Sequence, residues 1–323
     1  MRRSIIVTAF LAGISTMLPV LAQAQDYPTR PIKLVVPWAP GGGTDVLGRI
    51  IAAKLSEGMG QQVIVENKPG ASSMIGMTAV AHATPDGYTF GLATSNLAAN
   101  PYLYASHSFD VAKDLAPVVL VAKGVYALAV NPDLPVKSVA DLIAHAKANP
   151  GKLNASLVGA GSPPHLALTQ FKSMTGVDIM GINYKGGGPS MAAAVAGETQ
   201  MIFASYATMS PMIQAGRLRL VAVTSAKRST TVPDVPTATE SGLPGFVFDE
   251  WYAVFAPAKT PRVAIDRFNA EVRKVLAMAD VRERMKGLAS EPAGGTPEDL
   301  GEFVRGEMAR FSKLIKDNNI KSE

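Results

Sequence analysis

The 323-residue sequence contains no cysteine, four histidines and few charged residues, which make up 18% of the chain. The absence of cysteine excludes disulfide bonds, thiol catalysis and thiolate metal ligands. The charged fraction lies below the roughly 25% of ordinary globular proteins, which argues against a charge-rich coiled coil or a nucleic-acid-binding tail. Because 47% of the residues are hydrophobic, the chain can form about two domains with cores of ordinary size.

Sequence motifs for the common enzyme chemistries are also missing. None of the three glycine clusters completes GxGxxG, and no Gly-Lys-Ser/Thr follows them, so a nucleotide site is not indicated. Residues 188–192 lack the last glycine of a GxSxG elbow, and Ser190 is expected in the first turn of a helix. The histidines are not spaced as metal ligands. We therefore expect no cofactor, no metal site and no catalytic residue, and the charge pattern does not indicate nucleic acid as a partner.

The N-terminus has the pattern of a secretion signal. Arg2 and Arg3 precede an apolar run over residues 5–21, and a small-residue triplet ends at Ala24. This pattern predicts a cleavable signal peptide over residues 1–24, cut after Ala24, and leaves twin-arginine export open beside general secretion. Cleavage removes two basic and no acidic residues, so the net charge falls from +5 to +3. Since no later apolar run approaches the ~18 residues of a membrane span, we expect a mature protein in a bacterial periplasm.

Predicted strands and helices alternate along the mature chain. Strand patterns at residues 32–36, 62–65 and 88–92 alternate with apolar residues at helical spacing, and the same alternation returns over residues 138–223. This order predicts an α/β protein in which βαβ units build parallel sheets flanked by helices.

Two β-prone segments, residues 118–130 and 250–257, predict the places where the chain passes between two domains. Each of them ends in, or is followed by, a proline turn. The predicted division is a signal peptide over 1–24, domain I over 25–124 plus 248–323, and domain II over 125–247.

Three glycine clusters, at residues 41–43, 159–161 and 186–188, lie where a predicted strand passes into a helix. A helix N-terminus presents unpaired N–H groups and the positive end of the helix dipole, and glycine lets a ligand approach that backbone. Open α/β sheets bind ligands at this edge, so the clusters predict an anion held mainly by neutral donors. Thr94 and Ser95, at the end of the third strand, fit either a polar ligand or a helix cap.

Four side chains near these clusters have two interpretations each. Asp45 either compensates the dipole of the first helix or orients a ligand donor. His165 either contacts the ligand or caps its helix. Lys185 either contacts an anion or is a solvated residue at the rim, and Trp38 forms either a wall over the ligand or part of the core.

Several motifs together resemble the tripartite tricarboxylate transporter substrate-binding proteins, also called Bug receptors. They occur in order along nearly the whole mature chain, and they are Val36-Pro37-Trp38-Ala39-Pro40-Gly41-Gly42-Gly43-Thr44-Asp45 with Arg49, Val65-Glu66-Asn67-Lys68-Pro69-Gly70-Ala71, Pro85-Asp86-Gly87-Tyr88-Thr89, Gly161-Ser162-Pro163-Pro164-His165-Leu166, Tyr184-Lys185-Gly186-Gly187 and Asp234-Val235-Pro236-Thr237 with Glu240-Ser241-Gly242.

The resemblance implies a two-domain periplasmic-binding-protein fold of type II, a Venus flytrap whose lobes close over a small carboxylated molecule. It implies that a ligand carboxylate is held between loops of the two domains, largely through backbone N–H groups and ordered water. The residues that it assigns to the first loop are Pro40, Gly41, Gly42, Thr44 and Asp45. Those that it assigns to the second are Gly159, Gly161, Ser162 and His165, with Tyr184, Lys185 and Gly186 on the far side of the cleft.

The sequence departs from the family pattern near the expected ligand. Position 38 is commonly phenylalanine in the family and is Trp38 here, and many members carry an aspartate where this chain has Ala204, followed by Ser205 and Tyr206. The missing carboxylate argues against a ligand with an ammonium group. Trp38 and Tyr206 would suit an aromatic or alkyl body, and Ser205 is added to the expected ligand contacts.

The function expected from the resemblance is a monomeric, non-catalytic receptor. It would capture a di- or tricarboxylate or an aromatic carboxylate and present it to the membrane permease of a tripartite tricarboxylate transporter. Two alternatives stay open: a ligand-sensing partner of a membrane sensor kinase, and an exported enzyme that acts on a carboxylate.

Overall fold

The computed structural model describes residues 27–104, 108–317 and 320. The predicted signal peptide over residues 1–24 lies outside these described residues. The strands are β1 (Ile32–Val36), β2 (Val63–Asn67), β3 (Thr89–Thr94), β4 (Leu115–Gly124), β5 (Tyr126–Val130), β6 (Leu153–Leu157), β7 (Ile179–Asn183), β8 (Met201–Ser205), β9 (Arg219–Val223), β10 (Glu250–Pro257) and β11 (Ser290–Gly294). The helices are α1 (Gly43–Met59), α2 (Met74–Ala81), α3 (Asn96–Leu103), α4 (Val111–Asp114), α5 (Val139–Ala148), α6 (Pro163–Thr175), α7 (Gly187–Ala196), α8 (Tyr206–Gln214), α9 (Arg262–Ala277), α10 (Ala279–Gly287) and α11 (Pro297–Asp317).

The strands form two sheets, and each sheet with its connecting helices is called a lobe here. Lobe I contains the six-stranded sheet in the order β11-β4-β10-β3-β1-β2, and lobe II contains the five-stranded sheet in the order β7-β6-β8-β5-β9. The chain leaves lobe I after β4 and returns to it with β10. The predicted segment 118–130 therefore covers the passage from β4 to β5, and the predicted segment 250–257 coincides with β10, the strand with which the chain returns to lobe I.

Both sheets are mixed, so the prediction of parallel sheets is correct for only part of each. In lobe I, β1 pairs in parallel with β2 and β3, whereas β10 runs antiparallel to β3 and β4. In lobe II, β6 is parallel to β7 and β8, whereas β5 is antiparallel to β8 and β9. The reason is the passage between lobes. β5 and β10 begin at the edge of the sheet where the parallel strands end. They therefore run in the opposite direction to those strands.

Apolar side chains at helical spacing fix the helices on the sheet of lobe I. On α1, Leu47, Ile51 and Leu55 are almost fully buried, and they lie three to four residues apart on one face. From α9, the Phe268 ring stacks on Phe90 of β3 at a centroid distance of 3.9 Å. These contacts place the start of α1 above the ends of β1 and β3.

The sequence patterns missed five elements, namely α3, α4, α8, α10 and β11. α3 and α8 follow directly on β3 and β8, are short and contain a proline, so they have little helical periodicity of their own. The helix predicted from Ser190 begins three residues earlier, at Gly187. Within the described residues, no helix is long and apolar enough to cross a membrane.

Gly76 brings helix α2 into direct contact with the loop that follows β1. A Cβ atom at this position would lie 2.6 Å from Cβ of Pro37 and 2.7 Å from the carbonyl oxygen of Lys68. The backbone at these contacts cannot move aside as a flexible side chain can. A residue larger than glycine would therefore separate α2 from the loop over residues 37–42.

We expect Gly76→Ala to destabilise the protein by about 1–3 kcal/mol, because the added methyl group overpacks a closed contact. The matched control is Gly306→Ala in the middle of α11, where an added Cβ would meet no atom of the described residues within 4 Å. That change should stabilise the protein by about 0.5–1 kcal/mol through helix propensity. Urea unfolding of both variants measures the difference. Equal effects of the two substitutions would contradict the packing argument.

Candidate functional site

The ends of the parallel strands from both lobes define a cleft. β1, β2 and β3 of lobe I end at one edge of their sheet, and β6, β7 and β8 of lobe II end at one edge of theirs. The loops that follow β2, β3 and β6 contact one another across the lobes, as described below. Ligands of open α/β sheets bind outside these carboxyl ends.

Asp45 organises the first loop of lobe I. Its carboxylate is almost fully buried and accepts hydrogen bonds from Gly41 N at 2.9 Å, from Asn67 Nδ2 at 2.9 Å and from Arg49 Nε at 3.0 Å. Asn67 also donates to the carbonyl oxygen of Trp38 at 3.0 Å. Both carboxylate oxygens are thus engaged by the protein itself, and they fix the path of the glycine loop.

The hydrogen bonds to Asp45 keep it ionised. Burial alone would raise the pKa of this carboxyl group, but the bonds from Arg49, Gly41 and Asn67 outweigh burial and hold the pKa below its usual value. The negative charge of Asp45 is therefore compensated by the loop N–H of Gly41 and by Arg49. The loop before α1 is therefore held by contacts within lobe I.

The loop after β2 has an unusual backbone. Ala71, Ser72 and Ser73 all have positive φ angles, of 45°, 48° and 74°, although none is glycine. Residues of α3 compensate for this conformation, because Asn96 Nδ2 donates to the Ser72 carbonyl and to Ser73 Oγ, and Asn100 Nδ2 donates to the same carbonyl. Three consecutive residues in a sparsely populated region occur where the surroundings enforce them, often at binding sites.

The predicted polar residues at the end of β3 support this region. Thr94 Oγ1 accepts a hydrogen bond from Trp38 Nε1 at 3.2 Å and donates to Asn96 Oδ1. Ser95 is buried, and its hydroxyl has no hydrogen-bond partner among the described residues. Trp38 is half-buried and tied to β3, so it stands beside the first loop in a fixed orientation.

The loop after β6 in lobe II is built in the same way as the first loop of lobe I. Gly161 N donates to His165 Nδ1 at 2.9 Å, four residues ahead, just as Gly41 N donates to Asp45 four residues ahead. Ser162 Oγ donates to the Gly159 carbonyl at 2.6 Å. In each lobe a side chain in the first turn of a helix therefore fixes the glycine loop that precedes the helix. As the acceptor in its bond, Nδ1 of His165 carries no proton.

Residues 72, 104 and 160 join the two lobes on one side of the cleft. The Ala160 carbonyl accepts hydrogen bonds from Ser72 Oγ at 3.0 Å and from Tyr104 OH at 3.1 Å. A Cβ at Gly161 would lie 3.0 Å from Leu103 and 3.2 Å from the hydroxyl of Tyr104, and Gly161 has a φ of 70°. Glycine is therefore needed here both for its backbone angle and for the close approach of α3.

On the other side of the cleft the start of α1 approaches β8 and α8. An ideal Cβ at Gly43 would lie 3.6 Å from Tyr252 OH, 3.9 Å from Ser205 Oγ and 4.0 Å from Cγ2 of Thr208. Ser205 is half-buried and ends β8, while Tyr252 belongs to β10 of lobe I and is almost fully buried. The first turn of α1 thus faces hydroxyl groups from both lobes.

The structure groups the predicted site residues unequally. Pro40, Gly41, Gly42, Thr44 and Asp45 share one loop and helix start, and Gly159, Gly161, Ser162 and His165 share the loop across from it. Tyr184, Lys185 and Gly186 follow β7, the edge strand of lobe II, and Tyr184 OH approaches Glu198 Oε2 at 3.5 Å within its own lobe. Which of these residues touch a ligand stays a prediction.

Sequence reasoning missed several residues that shape the cleft. Ser72, Tyr104 and Tyr252 make contacts between lobes or at the cleft, yet each is distant in sequence from its partner. Asn67 was noted only as part of a motif. A signal was available for Glu250, because a carboxylate at the start of a fully apolar strand is unusual.

Comparison with known proteins identifies the family. Residues 47–320 match the tripartite tricarboxylate transporter family receptor, TctC. The chain belongs to this receptor family. The protein BugT of Bordetella pertussis is 35% identical to it over 318 residues, which cover 98% of this chain and 97% of BugT.

Solved structures of similar proteins show the same fold. The protein Rpa4515 of R. palustris, solved with adipate, is 38% identical with a TM-score of 0.87, and the match covers 91% of this chain and 99% of that one. MatC of Rhodopseudomonas palustris, solved with bound malate, is 30% identical with a TM-score of 0.83, covering 90% of this chain and 100% of that one. The TctC receptor therefore has the two-domain periplasmic-binding-protein fold, as the sequence resemblance implied, and it is a solute-binding receptor.

We expect Asp45→Ala to destabilise this TctC-family receptor by about 1–2 kcal/mol, because the buried carboxylate that accepts hydrogen bonds from Gly41 N and Asn67 Nδ2 is lost and the first loop is no longer held. The control is Arg49→Ala, which removes the exposed partner of the same carboxylate and should have a much smaller effect. Urea unfolding at neutral pH measures both. If Arg49→Ala lowered the free energy of unfolding as much as Asp45→Ala does, the stabilising effect of Asp45 would come from its ion pair with Arg49 and not from the hydrogen bonds that hold the loop.

The same variants also predict a pH dependence. Because the pKa of Asp45 is lowered in the folded protein, its stabilising effect is present above the unfolded value of about 4 and is lost as the pH falls through the folded value. The difference between wild type and Asp45→Ala should therefore shrink in acid.

Proposed function

We propose that the protein captures a small organic carboxylate, either a di- or tricarboxylate or an aromatic carboxylate, in the cleft between its lobes. The observation that carries this proposal is the pair of glycine loops, each fixed by a side chain four residues ahead and each preceding a helix N-terminus. Helix N-termini attract anions through N–H groups and the helix dipole. The negative charge of Asp45 is already compensated, so it opposes a bound carboxylate only weakly.

The ligands of similar proteins support the same class. Rpa4515 was solved with adipate and MatC with malate, and both are dicarboxylates. In this chain polar groups of the two lobes meet at two separate places, near Ser72 and near Ser205. Two anchoring points separated along a cleft suit a molecule with polar groups at both ends.

In this proposal the lobes move about the passages near Val125 and Trp251, and closure buries the ligand. The division into domain I, residues 25–124 plus 248–323, and domain II, residues 125–247, belongs to the proposal. Burial excludes water and strengthens the interaction of the ligand with the helix N-termini. Closure is favoured by the ligand to the extent that it binds the closed state better than the open one.

The partner in this proposal is the membrane permease of a tripartite tricarboxylate transporter. The protein reaches the periplasm through the signal peptide over residues 1–24 and works there as a monomer without catalysis. The family assignment supports this placement, because the receptor family is named for that transporter. The face of the closed lobes would then be the surface that the permease contacts.

A ligand screen tests the proposal. We expect thermal stabilisation of residues 25–323 by a subset of adipate, malate, citrate and benzoate, with weaker effects from aspartate and glutamate. A ligand that binds only the folded state at a hundredfold excess over Kd stabilises by about 2.7 kcal/mol. Absence of a shift with all four carboxylates, on folded and ligand-free protein, would contradict the proposal.

A charge placed in the first loop tests the position of the site. We expect Gly42→Asp to weaken binding of the best compound in the screen by about tenfold or more, because like charges at a few Å repel strongly in a cleft. Gly42 has a φ of −77° and room for a Cβ, so the substitution fits the loop. Gly42→Asn is the neutral control of the same shape. Equal calorimetric affinities of the two variants would place the anion elsewhere.

A further inference from the structure

Glu250 is a buried carboxyl group at the passage between the lobes. It is the first residue of β10, it is 8% exposed, and it pairs with Gly124, the last residue of β4. Tyr252 lies on the same face of β10 and pairs with Thr94 at the cleft end of β3. The intervening Trp251 points the other way, toward α11, where its Nε1 donates to Glu307. Glu250 and Tyr252 therefore belong to the cleft side of the sheet.

The carboxyl group of Glu250 lies beside two hydroxyl groups, those of Tyr252, two residues along the same face of β10, and of Ser205 at the end of β8. These are the hydroxyls that lie near the first residue of α1, at 3.6 and 3.9 Å from an ideal Cβ on Gly43. The Glu250 carboxyl, at the passage between the lobes, and the two hydroxyls thus form a row of polar groups that reaches the N-terminus of α1 at the cleft. Tyr252 comes from lobe I and Ser205 from lobe II.

The surroundings of Glu250 favour its neutral form. Its Oε2 atom is buried and has no hydrogen-bond partner among the described residues; it packs so closely on Gly124 that an added Cβ there would be 2.8 Å away. An ionised oxygen without a donor is costly in such a place. Desolvation accordingly raises the pKa of Glu250 to about 7, although the bonds from Tyr252 and Ser205 lower it in part.

Two phenols are the ionisable groups that couple to Glu250. They are Tyr252 beside it and Tyr126 on β5, whose hydroxyl donates to the Phe203 carbonyl; the pKa values of both are raised well above the usual range, so they stay neutral. The neighbouring Asp249 faces a different set of charges, on Lys123, Glu307 and Arg310. Among these three coupled groups, the carboxyl of Glu250 is the one that changes charge near neutral pH.

The protonation state of Glu250 determines whether the Tyr252 and Ser205 hydroxyls can donate a hydrogen bond to a ligand. An ionised carboxylate accepts both hydroxyl protons, so Tyr252 and Ser205 turn lone pairs toward the cleft, and a negative charge lies behind them. A protonated carboxyl donates to one hydroxyl, and that hydroxyl is then free to donate its own proton to a ligand. The neutral form thus supplies a donor next to the N-terminus of α1, and the ionised form removes it.

We propose that Glu250 is a positioning residue for anion capture: in its protonated form it donates to the hydroxyl of Tyr252 or of Ser205, that hydroxyl donates to a ligand carboxylate, and binding takes up a proton. This inference rests on the proposed function, because it concerns the carboxylate bound in the same cleft. The bound anion raises the pKa of Glu250 further, and the ligand-free group is ionised above about pH 7. Affinity is then constant in mild acid and falls as the pH rises.

The test is calorimetric titration with adipate, malate, citrate and benzoate from about pH 5.5 to about pH 8.5. For the wild type we expect the affinity of each binding compound to fall by up to about tenfold per pH unit above the pKa, the limit for uptake of one proton. Glu250→Gln mimics the protonated shape and cannot ionise, so its affinity should be flat above about pH 6.5, where the ligand carboxyl groups are ionised. Asp249→Asn is the matched control, and it should keep the pH dependence of the wild type.

A second measurement makes the test independent of the variants. Titration of the wild type near pH 7.5 in buffers of different ionisation enthalpy gives the number of protons taken up, which we expect to lie between zero and one and to disappear in Glu250→Gln. Binding with a flat pH profile and no proton uptake would overturn the role of Glu250 and leave the proposed function intact. Failure of all four carboxylates to bind at any pH would overturn the proposed function and this inference with it.

Discussion

The antiparallel pairing of β4 with β10 is the constraint on which the cleft depends. β4 ends at Gly124 where the chain leaves lobe I, β10 begins at Glu250 where the chain returns, and these two residues pair with each other. Both passages between lobes are thereby held at one point. This point fixes where lobe II begins and ends, and with it the place at which the loop after β6 contacts lobe I.

Each lobe holds its glycine loop with a side chain that accepts a hydrogen bond from the loop backbone, but the side chain differs between the lobes. In the proposed function, a glycine loop that binds an anion through its backbone must be held in shape without an uncompensated negative charge that would repel the anion. In lobe I, Asp45 supplies the acceptor for Gly41 N, and Arg49 with Asn67 compensates its charge. In lobe II a neutral ring nitrogen of His165 does the same for Gly161 N. Pre-organised loops of this kind bind a ligand without the cost of ordering the backbone.

Much of the candidate site could be predicted from local sequence because its main parts are local. A strand, a glycine cluster and a helix start lie within about fifteen residues of one another, and this order predicts where N–H groups point. Contacts such as Ser72 with Ala160, or Tyr252 with Ser205, join residues that are far apart in sequence. The spacing of apolar residues does not indicate such pairs, so the sequence can draw attention to Glu250 as a carboxylate in an apolar strand, but only the structure shows the hydroxyl groups beside it.

The sequence alone determined the α/β class, the two passages between lobes and the glycine loops at the strand ends, because each depends on the spacing of apolar residues and on glycine within a short segment. The tertiary structure decided the direction of β5 and β10, the short helices α3 and α8, and the state of Glu250. These depend on which end of a sheet a strand enters, on packing that overrides weak helix propensity, and on burial, which sets the free energy of ionisation.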